Sequence, residues 1–296
     1  MTFARSPGAL EVMHKFFKVD KILFCEGGKI ISVDESSLLS TTTQTLDAIF
    51  WGNVIDLLKI KKKFHIKSCG SKSSVFTMLK ECRSKEINTI VFAVDSDYHD
   101  FIVCPAILDH QSFLVRTHGY SWESDVMRLD VFFSIMRHFI GPLDEETKRA
   151  VEEDIRAIQV ALHKWTNLDL AILSVTQNGI INKETPGRYI LGEGDAPQLN
   201  EAFLGQCLKE RKFKREEAET ARFGAEDSLR FTFGKLTSRL MYHLLIWHAK
   251  KTTKLKSLSY DEFMRLAISY SFQPPSKRHL SNLKQFYQNQ SHVFSR

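Results

Sequence analysis

Two stretches of the chain are apolar at nearly every position and end in acids. Lys21-Ile22-Leu23-Phe24-Cys25 runs into Glu26-Gly27-Gly28, and Thr89-Ile90-Val91-Phe92-Ala93-Val94 runs into Asp95-Ser96-Asp97. Short apolar runs rich in β-branched residues and closed by turn or charged residues predict buried strands. A core does not accept unpaired carboxylates, so the acids mark the strands' C-terminal ends. In open α/β sheets ligands bind along that edge. Side chains two apart on an extended chain point the same way, so Asp95 and Asp97 can converge on one cation. Glu26 joins them if the two strands are parallel neighbours. Each acid also has a plainer reading, as a solvated residue after a strand.

The pattern between these runs predicts the rest of a sheet. Residues 9–17 predict a short helix. Residues 44–59 carry apolar side chains at positions 46, 49, 50, 54, 57 and 58, a helical spacing, and Phe64 to Ser68 predicts a second strand. Cys69-Gly70-Ser71-Lys72-Ser73-Ser74 is a Gly/Ser turn into a helix from Val75 to Arg83. That turn either caps the helix or offers its N–H groups to an anion. It lacks the full P-loop pattern. Strand, helix, strand, helix, strand predicts a parallel α/β sheet with right-handed crossovers. A further strand is predicted at Ser112 to Arg116, and Ser121 as the cap of a helix running on from Trp122. Glu123, in that helix's first turn, is either a dipole-stabilised acid or a further metal carboxylate.

Beyond about residue 124 the periodicity is mainly helical. Helices are predicted at 126–140, 144–164 (with 168–175 extending or following it), 201–213, 214–221, 236–249 and 260–267, and residues 178–200 as a long surface loop. The expected organisation is a sheet domain over 18–125, flanked by helices, followed by a mainly α-helical region over 126–296.

The chain has 296 residues, 43% hydrophobic and 26% charged, as in an ordinary globular protein. A net charge of +6 permits a polyanionic partner. Basic clusters occur at Lys61–Lys63, at Lys209, Arg211, Lys212, Lys214 and Arg215, and at Lys250, Lys251, Lys254 and Lys256. The tail mixes Lys277, Arg278 and His279 with Phe286, Tyr287 and His292, which suits either RNA contact or docking of a terminal helix. Five scattered cysteines without a C-x-x-C pair predict free thiols, no zinc site and a reducing cytoplasm. Neither a signal peptide nor a membrane-length apolar run is expected.

Taken together, Phe24-Cys25-Glu26-Gly27, Ser68-Cys69-Gly70-Ser71-Lys72, Val94-Asp95-Ser96-Asp97-Tyr98 and Tyr120-Ser121-Trp122-Glu123 resemble the motifs of a Toprim domain. The variety they resemble is the overcoming-lysogenization-defect nuclease kind, and within it the effectors of the PARIS anti-phage defence system. The resemblance covers roughly residues 18–130. It implies that Glu26, Asp95 and Asp97 bind Mg²⁺ (or Mn²⁺), that Glu123 helps hold a second metal, and that Lys235 contacts the reacting phosphate. It further implies a toxic nuclease controlled by a partner ABC-type ATPase, acting on RNA such as host tRNA and dimeric when active. Many relatives carry an acid a few positions after the Glu-Gly. Here Gly28, Lys29 and Ile30 follow, and the next acids are Asp34 and Glu35.

The chemistry agrees with that implication on separate grounds. Mg²⁺ is a hard cation that keeps several waters, so a few carboxylates suffice to bind it. Paired metals clamp the attacking and leaving oxygens of a phosphodiester, and a lysine offsets the charge that develops on the phosphate. Two other readings fit parts of the pattern. An Asp-x-Asp glycosyltransferase using Mn²⁺ and a nucleotide sugar leaves Glu26 without a role. A non-catalytic module of the same fold would only bind its ATPase partner.

Overall fold

A computed structural model describes residues 7–28, 45–176, 179–192, 195–210, 222–252, 258–273 and 277–295. The helix expected over 214–221, most of the basic cluster around it, Asp34, Glu35, Lys254 and Lys256 lie outside the described residues. In chain order the first elements are α1 (Pro7–Phe16), β1 (Lys21–Cys25), α2 (Leu46–Leu57), β2 (Phe64–Ser68), α3 (Lys72–Ser84), β3 (Ile90–Val94), α4 (Pro105–His110) and β4 (Leu114–Arg116). Then follow α5 (Trp122–Val126), α6 (Leu129–Ile140), α7 (Glu145–Thr176), β5 (Ile190–Leu191), β6 (Gln198–Leu199), α8 (Glu201–Glu210), α9 (Ser228–Phe231), α10 (Gly234–Thr252), α11 (Tyr260–Ser271), α12 (Lys277–Asn289) and α13 (Ser291–Ser295). None of the described helices is long and apolar enough to cross a membrane.

The elements gather into two compact units. The sheet unit comprises residues 1–96, 104–118 and 274–296, and the helical unit 97–103 and 119–273. The protein is α/β: its sheet runs β2-β1-β3-β4 with every neighbouring pair parallel. All five residues of β1 and of β3 are buried, whereas the edge strand β2 is half-exposed throughout. That difference explains the unbroken apolar runs, because a central parallel strand is covered on both faces. Phe24 and Phe92 stack at 6.1 Å across β1 and β3, over a core that includes Ile22, Val75, Leu79, Ile90, Ile107 and Leu114. Burying each such side chain contributes about 1.5–3 kcal/mol.

The C-terminal tail belongs to this unit and packs as helices. Tyr287 is fully buried, with its ring 5.8 Å from Trp51 and 6.4 Å from Phe50, and Phe294 meets Phe64 at 5.9 Å. Gln290 pairs with the backbone of β4 in both directions, its side chain accepting from Arg116 N–H at 2.9 Å and donating to Arg116 C=O at 3.2 Å. The docking alternative therefore describes the tail. Phe286 still carries the Arg116 guanidinium over its ring at 5.2 Å.

One helix is unexpected, and two local expectations need correction. Ahead of β4, which falls within the expected Ser112 to Arg116, Pro105–His110 form the helix α4, which Pro105 favours by fixing its backbone at the first helical turn. The helix expected to run on from Trp122 stops at Val126, and a new one starts at Leu129 after the non-helical Met127 and Arg128. Within 178–200, the described residues include a 3₁₀ turn at Pro186–Tyr189 and the antiparallel pair β5–β6.

In the helical unit, α7 is one continuous helix of 32 residues that buries Val151, Ile155, Ile158, Leu162 and Trp165 along one stripe. α10 buries Leu236, Leu240, Met241, Leu244 and Leu245. α11 begins with a capping box, in which Ser259 and Glu262 each satisfy the other's backbone N–H.

Candidate functional site

β1 and β3 are adjacent and in register, with Cys25 beside Ala93, so the residues that follow them emerge at one edge of the sheet. There the Glu26 carboxylate accepts the backbone N–H of Asp95 at 3.1 Å. Lys72, the first residue of α3, brings its ammonium within 3.9 Å of Glu26 and donates to the Asp95 carbonyl. The end of β3 is fixed to the end of β4. Ser96 N–H donates to the Thr117 hydroxyl at 2.9 Å, the Ser96 hydroxyl donates to the Thr117 carbonyl, and Arg116 donates to Ser96 at 2.9 Å. The position of Asp95 is thus set by hydrogen bonds across two neighbouring strands.

The Glu-Gly-Gly turn is shaped by its neighbours. Gly27 and Gly70 exchange backbone hydrogen bonds at 2.8 and 2.9 Å, which ties the turn to the loop after β2. Gly27 has φ +116°, and any side chain there would run into the carboxylate of Asp47. Asp47 stands in the first turn of α2, whose cap, Thr45, accepts from Ala48 N–H. An acid therefore does lie beside the Glu26 turn, supplied by α2 rather than by the residues directly after it. Burial, and secondarily the charge of Asp47, pushes the Cys25 thiol well up, so it stays protonated and offers no soft ligand. Ser71 accepts from Ser74 N–H at 3.3 Å, so the Gly/Ser turn is occupied as a helix cap.

The remaining candidates lie in the helical unit. Asp97 sits at φ +49°, donates its N–H to the Tyr120 carbonyl at 2.7 Å and accepts from Lys183 at 2.8 Å. The Tyr120 hydroxyl is bonded to the same carboxylate, and the Lys183 ammonium lies 5.2 Å from the Tyr120 ring. Beside them, Tyr98 donates to Asp169 at 3.1 Å, and Asp169 also accepts the backbone N–H groups of Ile180 and Ile181. Burial pushes the carboxyl of Asp169 up, and burial also holds the two tyrosines well above their ordinary range.

Glu123 is buried in α5 and accepts the Ser121 hydroxyl at 2.6 Å. Ser121 occupies the cap position, but its hydroxyl serves Glu123 instead of the backbone. Gly234, at the start of α10, packs against Ser121, Glu123 and Ser124 so closely that a Cβ would collide. Lys235 follows it and is exposed.

The hard oxygens of Glu26 and Asp95, with Asp47 against Gly27, suit Mg²⁺ in kind. Among the described residues no three His, Cys, Asp or Glu side chains form a group that would hold a metal ion by themselves. Magnesium commonly takes one or two carboxylates and completes its shell with water. Sequence reasoning missed Lys72 and Asp47 as members of this edge. Asp47 sits 21 residues after Glu26, on the next helix, and Lys72 was hidden in a turn that reads as punctuation. Comparison with known proteins gives no match to any family model and none to any curated protein. What the chain shows is an α/β protein with a four-stranded parallel sheet and acids at the C-terminal ends of its two central strands.

Proposed function

We propose that the protein is a Mg²⁺-dependent nuclease of the Toprim kind. The observation that carries this reading is the Glu26 carboxylate set on the Asp95 amide, at the C-terminal edge of two adjacent parallel strands, with Lys72 as its counter-charge. Glu26 and Asp95 would hold the metal, with Asp47 beside them; Asp97 and Glu123 are the further acids that the motif resemblance implies. When bound, Mg²⁺ supplies an activated water and offsets charge on the phosphate. The chain's own groups do the rest. The Asp95 amide orients Glu26, Lys72 balances the acids while no cation is present, and Lys235 offers an exposed ammonium to a phosphate. The basic excess and the motif resemblance support RNA, with host tRNA as substrate, and control by an ABC-type ATPase partner of a toxic, dimerising effector in anti-phage defence.

The test is metal-dependent cleavage of RNA by the purified chain. Glu26→Ala and Asp95→Ala are expected to lose at least about a hundredfold in rate while melting as cooperatively as the parent. Full-rate cleavage by both variants overturns the assignment.

One observation favours a second reading, a partner-binding module without turnover. Lys72 pairs with Glu26 and Lys183 with Asp97, so these two acids already have an internal cation. That reading expects Mg²⁺ to leave the melting temperature unchanged, whereas the nuclease reading expects it to rise with metal concentration.

A further inference from the structure

Helix α10 carries a row of cationic and ring side chains beside its fully buried face. Lys235, Arg239, His243, Trp247 and Lys251 recur every fourth residue and therefore lie along one slowly turning stripe. At 1.5 Å per residue the row extends about 24 Å. Its members are exposed or half-buried, while the adjoining row of Leu236, Leu240, Leu244 and His248 is buried. Helix α10 contains no Asp or Glu at all, and Lys250 adds a further exposed cation at its end.

Cations at 235, 239 and 251 flank two rings, at 243 and 247, along this row. The Lys251 ammonium lies 3.9 Å from the centre of the Trp247 ring. The Arg239 guanidinium lies 4.9 Å from the Tyr260 ring, and its Nε is buried with no hydrogen-bond partner. Among the described residues none of Lys235, Arg239 and Lys251 is in an ion pair. Burial, and next the neighbouring Arg239, lowers the pKa of His243, so at neutral pH its ring offers a face more than a charge. The nearest acids on α11 do not cancel the row: Asp261 is held by Arg265, and Glu262 by the Ser259 cap.

We propose that this stripe is a track for single-stranded RNA, with Lys235, Arg239 and Lys251 on the phosphates and Trp247 and His243 stacking on bases. Aromatic faces between cations are what an unpaired strand requires, since its bases are free to stack. A duplex hides its base faces, and an acidic protein needs the cations but not the rings. At its first turn the track starts beside Glu123, because Gly234 packs on that residue. The proposal rests on the nuclease reading only for the choice of RNA as the polyanion.

The experiment is fluorescence anisotropy of the full chain with a labelled single-stranded RNA of mixed sequence, in EDTA so that no cleavage occurs. Trp247→Ala is expected to weaken binding about tenfold, with Trp247→Phe close to the parent. The Arg239→Ala/Lys251→Ala double variant is expected to weaken it further and to flatten the log–log salt dependence by about 1.4, at roughly 0.7 for each phosphate no longer neutralised. Lys250→Glu/Lys251→Glu, at exposed positions, gives the same test without disturbing the buried face of the helix. Parental affinity and salt slope in these variants overturn the track, as does competition by poly-L-glutamate equal to that by RNA. If the stripe variants lose RNA but the parent never cuts it with Mg²⁺, the track stands and the nuclease reading falls. If the parent cuts RNA and the variants bind and cut like it, the reverse holds.

Discussion

Glu26 in the sheet unit and Asp169 in the helical unit are both acids held by backbone N–H groups, yet they differ in what they are available to do. Asp169 is 3% exposed and accepts two backbone N–H groups and the Tyr98 hydroxyl. Its surroundings satisfy it fully, which makes it an architectural group. Glu26 keeps about a fifth of its side chain exposed, receives the Asp95 N–H, and faces a lysine at 3.9 Å. A lysine at that distance is a loose counter-charge that a divalent cation can replace. Burial with complete pairing is what an architectural acid requires, and partial exposure beside a cation is what the proposed metal site requires.

The contrast can be broken by mutation. Asp169→Ala orphans three donors and is expected to destabilise the protein by about 3 kcal/mol, measured by urea unfolding. Tyr98→Phe removes one of those bonds and should cost about 1 kcal/mol. Glu26→Ala removes a partly exposed ion pair and the acceptor for the Asp95 N–H, so its stability cost should stay below about 1 kcal/mol, while the cleavage proposed for this site should be lost. A Glu26 variant as destabilised as the Asp169 variant would make both acids architectural.

The smallest effect is with pH, and it sharpens the comparison from the other side. The pKa values of His65, His110, His243 and His248 are all lowered, chiefly by burial. The unfolded chain then binds more protons than the folded one below 6.5, the ordinary histidine value, so stability falls as pH falls. Asp169 works the opposite way, because its raised carboxyl takes up a proton first in the folded state. Thermal melts between roughly pH 7 and pH 5 are expected to show a net decrease of a few degrees, steeper in Asp169→Asn.

How much was legible in the chain follows from the same physics. The central strands could be read because double-sided burial leaves an unbroken apolar run, and their order placed Glu26 beside Asp95. The helix α4 was missed because Ile107 and Leu108 form a run too short to separate helix from strand, although Pro105 carried the signal. That Asp97, Tyr98 and Tyr120, all within the quoted motifs, join Asp169 and Lys183 could not be read, since those segments share no period. Asp169 itself sits inside the longest helix, where a polar residue reads as an ordinary solvent-facing position.

Tyr287 and Phe294 complete the packing around Trp51, Phe50 and Phe64, more than two hundred residues earlier in the chain. The sheet unit therefore depends on contacts of very long sequence separation, and losing those two rings would uncover Phe50, Trp51 and Phe64 while leaving the strand pairing itself untouched.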